Sequence, residues 1–136
     1  MSLWKKILIA LAITGTAGVF STYSTVAVAA EDQAGSRKAT AETIKVVEHG
    51  LAETKNGASA QEIKVYYFQA RQEIKDITGE TIARDLQYAN DALFAVSRSL
   101  KVDDMERPLT AEEQAVTVAA WEEVLKILQK IKTKQH

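Results

Sequence analysis

His49 is the only histidine before the terminal His136, so any metal chemistry in the helical part of this chain begins with it. Carboxylate-bridged sites in helical bundles place a Glu three residues before each ligating His. The residue in that position here is Val46, which excludes a di-iron pattern. Non-covalent haem would need His or Met ligands on facing helices, and Met105 lies in a loop between helices. The acidic run Asp103, Asp104 and Glu106 could attract a divalent cation, although it lacks the alternate-ligand spacing and central Gly of an EF-hand loop. His49 is then either a solvated helix residue or a weak surface contact for such a metal. No Cys occurs, which excludes thiolate metal sites, covalent haem and a Cys nucleophile. No Gly-rich phosphate loop and no Ser-His-Asp set with workable geometry is present. A non-enzymatic protein without a resident cofactor is expected, with a divalent metal as the alternative.

A second group of interest is aromatic. In the stretch SAQEIKVYYFQARQEI, residues 59–74, Tyr66, Tyr67 and Phe68 are consecutive. A helix turns about 100° per residue, so the three cannot share one face. Ile63, Tyr67, Ala70, Ile74 and Ile77 have the alternating four-three spacing of a buried seam, which assigns Tyr67 to the core. Tyr66 borders that seam, while Val65 and Phe68 leave it. Two readings are open: a broad core that also buries Phe68, or a contact patch formed by Val65, Tyr66 and Phe68 for a second subunit or another protein.

The elements that carry these residues can be delimited by their punctuation. Lys5 and Lys6, the apolar run Ile7 to Phe20 and the small residues VAVAA predict a signal peptide over residues 1–30, with cleavage after Ala29 or Ala30. An uncleaved membrane anchor is the alternative. Export implies a periplasmic or secreted protein that has no membrane contact after cleavage. The formal charge is -1, and losing Lys5 and Lys6 leaves about -3 with both signs interspersed. That balance argues against nucleic acid as a partner.

Residues 31–39 (EDQAGSRKA) lack apolar periodicity and read as a flexible segment. Residues 40–132 read as an all-α, antiparallel four-helix bundle. The first helix, from about Thr40 to Lys55, carries the stripe Ile44, Val47 and Leu51 and stops at Asn56-Gly57. The second opens with the capping box Ser59-Ala60-Gln61-Glu62 and ends near Thr78-Gly79. The third, Glu80 to Leu100, has the seam Ile82, Leu86, Ala89, Leu93, Val96 and Leu100. The fourth opens with a second capping box, Thr110-Ala111-Glu112-Glu113, and its seam is Thr117, Trp121, Val124, Leu128 and Ile131. Trp121 is expected to anchor the core against Ala70 or Ala89. Acidic residues such as Asp85, Asp91, Glu122 and Glu123 fit the solvated faces. Matching apolar positions in the second and fourth helices, and in the first and third, suggest two similar helical hairpins.

The hairpin EHGLAETKNGASAQEIKVYYFQARQEIK, with the second unit ETIARDLQYANDALFAVSRSL and AAWEEVLKIL, resembles the small metal-binding protein family of bacterial periplasms. The resemblance implies an exported four-helix bundle that binds copper and other divalent metals through many histidines. Of those, only His49 stands in the repeat region here. Two functions are therefore carried forward. One is a protein-interaction module of the cell envelope that binds a partner or self-associates through Val65, Tyr66 and Phe68. The other is a metal buffer using His49, Asp103, Asp104 and Glu106.

Overall fold

Small polar side chains build much of the inward face of the first helix. In the computed structural model, which describes residues 28–135, α1 spans Val28–Lys55. Its buried positions include Ser36, Thr40, Thr43, Val47, Gly50 and Thr54, spaced by four and three, with Ala39 beside them. A hydroxyl on such a face is tolerated only with a partner. Thr40, Thr43 and Thr54 donate to the carbonyl four residues earlier, at 3.0, 2.7 and 2.7 Å. The expectation of a flexible segment over 31–39 is therefore corrected: Ser36 and Ala39 are buried in helix. The expected stripe is also shifted, since Ile44 and Leu51 are only half-buried. The expected signal peptide, residues 1–30, lies outside the described residues apart from Val28–Ala30. The chain divides into two units, residues 1–32 and 33–136, and α1 from residue 33 onward belongs to the second.

Three further helices complete this second unit: α2 (Ala60–Ile74), α3 (Ala83–Ser99) and α4 (Ala111–Lys134). No strand forms among the described residues. α1 closes with Gly57 at φ 89°. The amide of Ala58 reaches the Glu53 carbonyl, and that of Gly57 reaches Thr54, the paired bonds of a Schellman motif. Both capping boxes are formed, at Ser59–Glu62 and Thr110–Glu113. α2 ends earlier than its apolar pattern suggests. Beyond it, the backbone amide and carbonyl of Thr78 both bond the Ser36 hydroxyl, which holds this segment against α1 instead of in helix.

Hydrogen bonds fix the directions of the helices. Thr54, at the end of α1, meets Gln114 near the start of α4, whereas Ser36 meets Gln135 just beyond its end. At the other side of α4, Ser99 ending α3 meets Thr117, and Asp85 beginning α3 meets Lys134. Sequential helices are thus antiparallel, and α1 and α4 close the bundle. The seams of α2 and α4 are as the spacing predicts, with Ile63, Tyr67, Ala70, Ile74, Trp121, Val124, Leu128 and Ile131 all buried.

Trp121 is the large core anchor that its spacing predicts, at 0% exposure. It lies on Gly50, where an added Cβ would come within 2.6 Å of Trp121 Cζ2. The indole N–H donates to Thr54 Oγ1 at 3.1 Å, and Thr54 donates onward to the Gly50 carbonyl. Every polar group in this buried relay has a partner.

Candidate functional site

The adjacent aromatics of α2 divide between core and surface. Ser59 fixes the helix start by accepting from the Glu62 amide at 3.3 Å, while Glu62 accepts from the Ser59 amide at 3.1 Å. The loop before α4 is fastened to the same turn, through the Gln61 amide to the Met105 carbonyl and the Ser59–Pro108 bridge. With this register, Tyr66 and Tyr67 are buried and Phe68 is 53% exposed. The expected patch of Val65, Tyr66 and Phe68 is corrected accordingly. Tyr66 belongs to the α1–α2 interface, Val65 is half-buried, and Phe68 alone presents an open ring.

The position of Tyr66 also orients the helix. Its ring stands edge-on to His49 of α1, with centroids 6.4 Å apart. Burial, with the charges of Glu53 and Glu62 adding to it, pushes the Tyr66 phenol up to about 12, so it stays protonated at any ordinary pH. At about 100° per residue, Glu62, Gln69 and Glu73 share this α1-facing flank. Lys64, Phe68, Arg71 and Lys75 fall on the opposite flank, towards α3. The Phe68 ring lies 5.3 Å from that of Tyr67, and Arg71 reaches the Tyr67 hydroxyl at 3.5 Å.

α3 is similarly divided. Asp85, Tyr88 and Ser99 lie towards α4, whereas Phe94 and Arg98 lie on the flank turned away from it. Phe94 is 53% exposed, and the Arg98 guanidinium sits 5.2 Å from its ring centroid. A cation over an aromatic face in this range is attracted by the ring quadrupole.

The residues singled out for metal binding are dispersed. His49 is exposed on α1. In the loop, Asp103 is taken by Arg107, whose Nη2 lies 2.7 Å from Asp103 Oδ1. The same guanidinium grips both carboxylate oxygens of Glu113, at 2.9 and 3.0 Å, and so ties the loop to the capping box of α4. These bonds hold the Glu113 carboxyl at about 2, with Arg107 the main cause and the Thr110 backbone amide the next. Asp104 accepts from the Glu106 amide at 3.0 Å, a local turn bond. Among the described residues, no three His, Cys, Asp or Glu side chains converge on a point that could hold a metal.

One acidic residue expected on a solvated face is buried. Asp85 is 5% exposed and faces Lys134 Nζ at 2.6 Å and Lys130 Nζ at 3.5 Å, from the last turns of α4. The Lys134 hydrogen bond, ahead of the other contacts, lowers its pKa. Its spacing from Ile82 and Ala89 already placed it on the seam, where a charge requires a partner. The α3–α4 cleft beside it, about 540 Å³, mixes Asp85, Asp91 and Glu123 with Lys126 and Lys130. At the same end of the bundle, Ser36 accepts from both the Thr78 amide and the Gln135 amide in a second, polar cleft. Compared with known proteins, this chain matches no family model, no curated protein and no solved structure.

Proposed function

We propose that this protein is a non-enzymatic binding module that holds a protein partner on the Phe68 flank of α2. The observation that carries this reading is the contrast within one tripeptide: Tyr66 and Tyr67 are buried, but Phe68 keeps 53% of its surface open. An exposed aromatic flanked by polar residues is the usual composition of a recognition surface. The expected signal peptide adds the cell envelope as its place of work.

A photo-crosslinking phenylalanine analogue at position 68 tests this in cells, with position 116 as control. Val116 is equally open, at 59%, but stands on α4. Discrete protein adducts from position 68 and none from 116 are expected, with the partner then rebound in purified form. A blank at position 68 overturns the proposal. The metal reading is tested separately by titration calorimetry with copper, zinc and nickel, where affinity tighter than about micromolar would put it ahead.

A further inference from the structure

Phe68 does not stand alone. Its neighbours on the α3-facing flank of α2 are Lys64, Arg71 and Lys75, and the corresponding outer flank of α3 adds Phe94 and Arg98. Among the described residues, none of these four cations forms an ion pair within 4 Å. Arg107, Lys130 and Lys134 have carboxylate partners, whereas Lys126 and Lys132 of α4 also lack an ion pair among the described residues. The acidic groups of α2 are gathered on its other flank, beside α1. This face of a protein with a formal charge of -1 therefore sets four cations without ion pairs around two half-open phenyl rings.

We infer that this α2–α3 face receives an acidic polypeptide segment, with apolar side chains seated on Phe68 and Phe94 and carboxylates meeting the surrounding cations. The inference rests on the reading of Phe68 as a contact residue and gives that contact a chemistry. Charge complementarity selects this occupant over a second copy of the chain. A two-fold dimer sets the same patch against itself, which here would bring like charges together. The packing of the two rings favours a polypeptide over a bilayer. Phe68 packs beside Tyr67 and Phe94 lies under Arg98, so neither ring projects as a membrane-inserting wedge.

A display library of random linear peptides, selected on the full chain, supplies the probe. Enriched peptides should carry Asp or Glu around aliphatic or aromatic anchors. Their affinity, read by fluorescence anisotropy, should fall roughly tenfold or more in Lys64→Glu/Lys75→Glu and in Phe94→Ser, and should weaken with added salt. Circular dichroism verifies that each variant is folded. No enrichment, enrichment of neutral or basic peptides, or indifference to charge reversal overturns the inference. So does binding to phosphatidylglycerol vesicles in place of peptides, or a wild-type dimer in sedimentation that Phe68→Ser dissolves. The two readings fail separately. A partner crosslinked at position 68 through a non-acidic segment sinks the acidic chemistry and keeps the module, whereas an absent crosslink removes both.

Discussion

The seams of α1 and α4 do the same job with different materials. α4 presents Trp121, Val124, Leu128 and Ile131, all fully buried. α1 answers mostly with small polar residues, Ser36, Thr40, Thr43, Gly50 and Thr54 beside the apolar Val47, of which Thr40, Thr43, Val47 and Thr54 are also fully buried. The difference shows that a buried helix face need not be apolar. It must be small where its partner is large, and each hydroxyl must find an acceptor. Gly50 supplies the space for the indole, and Thr54 supplies the acceptor for its N–H.

The strongest way to break this pairing is at Trp121. Trp121→Ala should cost roughly 3–5 kcal/mol, from lost burial and the cavity left against Gly50. Gly50→Ala, read in the same urea titration, should cost about 1–3 kcal/mol, because its Cβ would overlap the ring. Combining the two should cost less than their sum, since the cavity accepts the new methyl. Strict additivity would mean that the two residues do not share this space.

Next comes Thr54→Val, which keeps the shape and orphans the buried indole N–H. A loss of about 1–3 kcal/mol is expected. Thr43→Val removes a hydroxyl that bonds only its own helix, at the Ala39 carbonyl, and should change the denaturation midpoint far less. Equal effects at the two threonines would show that the indole bond contributes nothing special. At the starts of α2 and α4, Ser59→Ala and Thr110→Ala should each cost about 0.5–2 kcal/mol through a lost cap. An unchanged midpoint at either position would show that its cap adds no stability.

The smallest effect concerns acid. Glu113 has a folded pKa of about 2 against an ordinary value of 4.5, so its ion pair stabilises the fold above 4.5. That contribution fades as pH falls towards 2. Asp85, also depressed, acts in the same direction. Thermal midpoints of Glu113→Gln should therefore decline less steeply than wild type between pH 4.5 and 2. An identical slope would place the acid sensitivity elsewhere.

Much of the fold is local enough to be read from the chain. Both capping boxes, the turn at Gly57 and the seams of α2 and α4 depend on hydrogen bonds or spacings within a few residues, and all are formed as the spacing predicts. The division between Tyr67 and Phe68 belongs here too, because about 100° of helical rotation separates them. Residues that carry no local signal needed the tertiary structure. Ser36 and Ala39 show no hydrophobic period, so only their packing, and the bonds of Ser36 to Thr78 and Gln135, extend α1 through residues 31–39. Tyr66 fits a surface patch by spacing alone, but α1 covers it, and the close approach of Trp121 to Gly50 carries no local signal. Asp85 has the spacing of a seam residue, but only the two lysines arriving from the far end of α4 let its charge be buried there. The sequence thus determined that the chain is helical, the capped starts of α2 and α4 and their seams, since these are set by short-range bonding and periodicity. Which face meets which was decided by space and by partners brought from distant parts of the chain, as with the void above Gly50 and the acceptor at Thr54.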